Sequence, residues 1–272
     1  MRRALAIDEK NYGANHPSVA LRLNNLATLL QATNRLAAAE SSMRRALAID
    51  EQSFGPNHPI VATNLNNFAW LLKEAKRLTE AEPLMRRALA ISEQSLGVNH
   101  PNVAAALNNL AQLLQDTNRL AEAEPFMRQA LGISEQTYGA NHSNVAIALS
   151  NLAALLHATN RPKEAELLMR RALTIDEKAL GTNHPDVAIR LNNLAHLLQD
   201  TDRLREAVPL MRRMVGILLD FTRRTGHPHP HLQAAVNTYA RSLMQTGLSR
   251  EQSTTKIREL AREYGLQFGG SS

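Results

Sequence analysis

Six histidines, His16, His58, His100, His142, His184 and His229, recur at nearly constant spacing and raise the question of a metal site. A zinc site needs at least two imidazole nitrogens within roughly 2 Å of one ion. Equivalent side chains in stacked helical units stay on the order of 10 Å apart, so helix capping and packing are the expected roles. His227, His229 and His231 lie closer together and could take up metal adventitiously, without a functional site being expected there. Met43, Met85, Met127, Met169 and Met211 could form a soft-metal stripe, yet their phase is apolar, which predicts core filling. The chain has no cysteine, which excludes disulfides and thiolate metal sites. No Ser/His/Asp set stands outside the repeat, and no glycine-rich loop suits a phosphate. Glu40, Glu82, Glu124 and Glu166 recur as surface or inter-helix groups. No enzyme activity, cofactor or metal is therefore expected.

The elements that position these residues form a 42-residue repeat, since the methionines from Met1 to Met211 fall every 42 residues. The block at 13–54 returns at 55–96 and then three more times. A fixed period in the range of about 20 to 50 residues predicts stacked supersecondary units in place of one globular core. Within a unit, Val19, Ala20, Leu23, Leu26, Ala27 and Leu30 follow one helical face. Asn15-His16-Pro17 starts that helix, and Thr33-Asn34-Arg35 ends it, because asparagine tolerates a left-handed backbone. A second helix runs from about Leu36 to Phe54, with Ala39, Met43, Ala46 and Ile49 buried and Gly55 as its stop. Pro83, Pro125 and Pro209 lie a few residues into this second helix and predict a late start or a bend. Short connections make successive helices antiparallel neighbours. Small residues at one phase (Ala27, Ala69, Ala111) and another (Ala39, Ala81, Ala123) let helix axes approach closely.

The pattern L-N-N-L-A-x-L-L, a polar turn, then A-E-x-x-M-R-R-A-L-x-I resembles the tetratricopeptide repeat. The 42-residue length and G-x-N-H-P-x-V-A-x-x-L-N-N-L-A are similar to the subclass found in kinesin light chains and many bacterial relatives. The resemblance implies an all-α, right-handed superhelical solenoid of antiparallel helix pairs, whose first helices line a concave groove for peptide or protein segments. Asparagine is a poor residue for mid-helix positions, so its recurrence there asks for a reason. By the resemblance Asn25, Asn67, Asn109, Asn151 and Asn193 face the groove, and Asn24, Asn66, Asn108 and Asn192 before them are expected to belong to the same binding site. An amide both donates and accepts, which suits gripping a peptide backbone. The alternative is a ladder that joins neighbouring repeats. One turn on, Trp70, Gln112 and His196 share a variable phase, with Lys73 farther along. Trp70, the only tryptophan, is the expected anchor for a partner; packing against the next repeat is its other reading.

The repeat boundaries divide the chain into 1–15 (the end of a truncated repeat), 16–57, 58–99, 100–141, 142–183 and 184–228, then a divergent capping repeat at 229–265 and a flexible tail at 266–272. The first segment starts inside a second helix, which suits a piece of a longer protein. Ser143 and Ser150 depart from the pattern, as do Met214, the apolar run 215–219 and the longer exit TGHPHPH at 225–231. A capping helix pair, Leu232 to Leu243 and Ser249 to Tyr264, gives the array a wet end.

The chain carries 31 basic and 25 acidic residues, a net charge of +6 and a pI near 10. Basic character suggests nucleic acid, but the excess comes from repeated arginine pairs such as Arg44-Arg45 and Arg86-Arg87 and from Arg35, Arg77, Arg119, Arg161 and Arg203 at a turn. Base-stacking aromatics at repeat phase are missing apart from Trp70. No run approaches the roughly 18 apolar residues of a membrane span. The expected protein is a cytoplasmic interaction scaffold with a protein or peptide partner; a nucleic-acid-binding solenoid and a sensor segment of a signalling protein are the competing readings.

Overall fold

A computed structural model describes residues 1–266, and thirteen helices with no strand make up those residues. They divide into two compact units, the first Met1–Thr137 and the second beginning at Tyr138. The first unit holds α1 (Arg2–Tyr12), α2 (Pro17–Ala32), α3 (Leu36–Phe54), α4 (Pro59–Glu74), α5 (Leu78–Leu96), α6 (Pro101–Asp116) and nearly all of α7 (Leu120–Tyr138). The second holds α8 (Ser143–Ala158), α9 (Pro162–Leu180), α10 (Pro185–Asp200), α11 (Leu204–Thr225), α12 (Leu232–Gln245) and α13 (Arg250–Glu263). The tail expected at 266–272 lies outside the described residues beyond Leu266.

Each first helix starts on a histidine. The Nδ1 of His16, His58, His100, His142 and His184 accepts the backbone N–H two residues on, at 3.1–3.3 Å. These rings also stack on an aromatic four residues back where one is present: Tyr12–His16, Phe54–His58 and Tyr138–His142, with centroids 4.8–4.9 Å apart. Proline at the first helical position loses no bond that a helix start would have made. Ser143, without a ring, starts α8 equally well because His142 supplies the cap.

The turn inside each repeat reverses through one left-handed residue, Asn34, Lys76, Asn118, Asn160 or Asp202, all with φ of 57–60°. The next N–H then reaches back five residues, as Arg35 does to the Leu30 carbonyl at 2.8 Å, closing the helix end. Between repeats the chain passes Gly13, Gly55, Gly97, Gly139 or Gly181. Gly55 has φ 88° and ψ 157°, a region that is essentially closed to residues with a Cβ.

The late start expected from Pro83, Pro125 and Pro209 is not taken. These prolines sit inside α5, α7 and α11, which begin at Leu78, Leu120 and Leu204. In α5 and α11 the first turn tightens instead: Glu80 and Glu206 donate to the Arg77 and Arg203 carbonyls three residues back at 3.2 and 3.0 Å. That shorter bond secures the first turn just ahead of the donor that proline lacks.

The cores follow the repeat. In the first unit Val19, Ala20, Leu23, Ala46 and Ile49 form one buried cluster, and Val61, Ala62, Leu65, Ala88 and Ile91 the next. Met43, Met85, Met127, Met169 and Met211 are all buried. In the second unit α13 carries a capping box, Ser249 with Gln252. Tyr264 follows it against α11, where a Cβ on Gly216 would lie 2.5 Å from the phenol oxygen. Pro230 does not open α12, which begins two residues later at Leu232 because the longer exit first makes a turn.

Candidate functional site

The first helices lie side by side within each unit. In the first, α2 meets α4 through an Asn24–Asn64 hydrogen bond of 2.8 Å, and α4 meets α6 through a Lys73–Asp116 ion pair of 3.0 Å. In the second, α8 meets α10 through Arg190 and Ser150 at 3.1 Å, and α10 meets α12 through Gln199 and Ser242 at 2.9 Å.

The two asparagines of each pair occupy different surroundings, because neighbouring residues on a helix point about 100° apart. Asn25, Asn67 and Asn109 lie on an exposed or half-buried stripe of α2, α4 and α6, and Asn151 and Asn193 lie likewise on α8 and α10. None of these five amides makes a hydrogen bond among the described residues. Thr28, Trp70 and Gln112 continue the stripe in the first unit; Ala154 and His196 continue it in the second. Asn24, Asn66, Asn108 and Asn192 are half-buried toward the junctions between first helices. The side-chain oxygens of Asn24, Asn66 and Asn108 are buried and accept no hydrogen bond.

Trp70 is 36% exposed. The Lys73 ammonium lies over its ring, 4.5 Å from the centroid, while also pairing with Asp116. In the second unit His157 and Asp200 take the corresponding places, 3.4 Å apart.

A ladder of side chains that the repeat motif does not reveal runs through the junctions. Asp8, Asp50, Ser92, Ser134 and Asp176 share one phase of the second helices, and fourteen residues on stand Arg22, Asn64, Ala106, Ala148 and Arg190. In the sequence the acids are followed at this spacing by a polar donor and the serines by alanine; among the described residues the two serines bond only to carbonyls of their own helices. Arg22 donates to Asp8 and Arg190 to Asp176, both at 2.8 Å, while Asn64 donates to Asp50 at 2.5 Å. The fixed spacing of fourteen is the signal of this ladder in the sequence.

Clefts open along the junctions. One of about 430 Å³ lies between α2, α3 and α4 and includes Asn24, Asp50 and Asn64. Another, about 410 Å³, lies between α10, α11 and α12 and includes Asn192, His196, Met214 and Leu218. Leu218 stands there at the phase of Asp50, so the second cleft lacks the buried carboxylate that the first contains. His229 lines it too; burial, reinforced by His231, pushes its imidazole below the usual value.

The arginines are less free than a solvated face implies. Glu40 takes Arg44 at 2.7 Å and Arg77 of the next repeat at 2.6 Å; Glu82 does the same with Arg86 and Arg119, and Glu166 with Arg170 and Arg203. The second arginine of each pair reaches the junction before it: Arg45 to Glu9 and the Ala14 carbonyl, Arg87 to Glu51 and the Pro56 carbonyl. The exposed phase of a second helix abuts the preceding connection, so these guanidinium groups find partners within the protein. Hydrogen bonds from Arg77 and Arg203 hold Glu40 and Glu166 below the usual carboxylate range against the opposing effect of burial. No group of three or more His, Cys, Asp or Glu side chains among the described residues could hold a metal ion. No helix among them is long and apolar enough to cross a membrane.

Comparison with known proteins agrees with this architecture. Residues 1–52, 23–94, 72–136 and 102–178 match a tetratricopeptide repeat family, and residues 187–217 match a second description of the same repeat. No curated protein matches the chain. Among solved structures, a Podosopora anserina protein described as a kinesin light chain with nearly identical TPR-like repeats is 23% identical. It superposes with a TM-score of 0.68 over 76% of this chain and 98% of its own. BtubC (BKLC) from P. vanneervenii is 22% identical, with a TM-score of 0.69 over 84% of this chain and 90% of its own. With thirteen helices, histidine-capped 42-residue units and family matches across most of its length, the chain belongs to the tetratricopeptide repeat family.

Proposed function

We propose that this protein holds an extended or helical segment of a protein partner against the exposed stripe of its first helices, within a concave groove of the kind the repeat family implies. The family supports a protein-interaction scaffold in general. The observation that carries the finer reading is the state of Asn25, Asn67 and Asn109: mid-helix, solvent-accessible amides with no hydrogen bond among the described residues. Asparagine costs helix stability at such positions, and a free amide offers a donor and an acceptor to a peptide backbone. Trp70 beside Asn67 supplies an aromatic surface, and Lys73 and Gln112 flank it; Asn151, Asn193 and His196 offer the same elements in the second unit. Asn24 acts from behind, joining α2 to α4, and Asn66, Asn108 and Asn192 share its phase. The ion pairing of the repeated arginines supports a protein partner over nucleic acid.

The test is a binder selected from a displayed library of random peptides. Asn67→Ala with Asn109→Ala removes two hydrogen bonds with a net value of about 0.5–1.5 kcal/mol each, so affinity should fall about fivefold to a hundredfold. The melting temperature should hold or rise, since alanine is the better helix former. Unchanged affinity with a lowered melting temperature assigns these asparagines to the fold alone and removes the reading.

A further inference from the structure

The acidic cleft between α2, α3 and α4 has an unusual balance of donors and acceptors. Asp50 is 3% exposed, and no cationic side chain among the described residues pairs with it. Its counterparts Asp8 and Asp176 are each neutralised by the chain's own arginine, Arg22 and Arg190. At the first of the full-repeat junctions that place is taken by Asn64, which is shorter and uncharged.

The direction of hydrogen bonding follows from the acid. An ionised carboxylate only accepts, so Asn64 must turn its NH₂ toward Asp50, as it does at 2.5 Å. Its oxygen therefore faces Asn24, whose NH₂ donates at 2.8 Å. Asn24 is left with its own oxygen buried and without a donor. The wall thus holds a carboxylate and an amide oxygen that accepts no hydrogen bond, with no cationic side chain among its lining residues. In the second unit Arg190 serves the same pair of positions, donating from Nε to Asp176 Oδ2 and from Nη1 to Ser150, which shares the phase of Asn24, while the buried Asp176 Oδ1 takes no hydrogen bond. Leu21, Phe54 and Ile60 stand at the mouth of the cleft with exposed apolar surface, suited to the methylenes of a long cationic side chain.

We propose that this cleft receives the guanidinium of an arginine side chain from a protein partner, which occupies the place that the chain's own arginine fills beside Asp176. A guanidinium carries five donors and no acceptor, the complement of this wall, and its planar fork can reach two acceptors at once. Burial raises the affinity of the Asp50 carboxyl for its proton, outweighing the Asn64 bond and nearby His58, and an incoming cation reverses that balance. The site stands apart from Asn25, Asn67 and Asn109, so either proposal can fail without the other.

The experiment uses N-acetyl-arginine amide as the probe and N-acetyl-citrulline amide as its uncharged isostere, followed by NMR of the Asn24 and Asn64 side-chain amides in the full chain. Saturable shifts with the arginine compound, and about tenfold to a hundredfold weaker ones with citrulline, are expected. Asp50→Asn should abolish the difference between the two compounds. Asn64→Arg should fill the cleft from within and abolish binding while the protein stays folded. Equal binding of both compounds to the unmodified chain, no shift up to the solubility limit, a preference for arginine over citrulline that survives in Asp50→Asn, or arginine binding that survives in folded Asn64→Arg would overturn the proposal.

Discussion

The Lys73 ammonium sits 4.5 Å from the centre of the Trp70 ring and 3.0 Å from the Asp116 carboxylate, so one cation ties an exposed aromatic on α4 to an acid on α6. A cation over a partly exposed ring contributes about 0.5–1 kcal/mol. Lys73→Met should lower stability by no more than about that amount. It should shift the emission of Trp70, the only tryptophan, which makes the reading unambiguous. An unchanged spectrum would show that the lysine does not rest on the ring in solution.

Two glycines should respond to alanine with opposite signs. Gly97 ends α5 at φ 84° and ψ 151°, where a Cβ is strained by about 1–3 kcal/mol. Gly132 lies inside α7, and an added Cβ there would meet nothing within 4 Å. At that position alanine should add about 0.5–1 kcal/mol. Thermal melts of Gly97→Ala and Gly132→Ala compare them directly; melting shifts of the same sign refute the backbone assignments.

Among the described residues Lys76 is the one left-handed non-glycine residue that is neither asparagine nor aspartate, at φ 60°. Lys76→Asn should raise stability by about 0.5–1 kcal/mol, since a short polar side chain relieves the left-handed penalty. A lowered chemical-denaturation midpoint would contradict this.

Acid should loosen the repeat stack. Glu40, Glu82 and Glu166 have carboxyls held below their usual range by paired arginines. A depressed carboxyl contributes stability that is present above its unfolded value and lost as pH falls through the folded one. The melting temperature should therefore decline below the ordinary carboxylate range, and the decline should be shallower in Glu40→Gln. Identical pH profiles for the two proteins would remove Glu40 from the effect.

Arg87 joins Glu51 and the Pro56 carbonyl across a junction, at 2.7 and 3.0 Å. Arg86 makes side-chain pairs only, with Glu82 and Glu122. Arg87→Gln should cost about 0.5–1.5 kcal/mol through the lost carbonyl bond, and Arg86→Gln less than about 1 kcal/mol. Urea denaturation that reverses this order would show that the backbone contact contributes nothing.

What was legible in the sequence was what depends on near neighbours in the chain. The helix pairs, the histidine starts, the left-handed Asn34 and its equivalents and the glycine stops each follow from a few consecutive residues, because capping and backbone sterics act within one turn. The buried methionines were legible too, since a 42-residue period puts the same phase at the same depth. Tertiary structure decided the partners. That Asn24 and Asn25 divide between a junction and an open stripe, that Arg77 crosses to Glu40, and that Lys73 lies over Trp70 depend on how one helix is set against the next. Proline inside α5 escapes the local rule for the same reason, since packing along the whole helix outweighs one missing hydrogen bond. Asp50 joins both lessons: the spacing to Asn64 stands in the sequence, but only helix packing makes that carboxylate buried and leaves it without a cation.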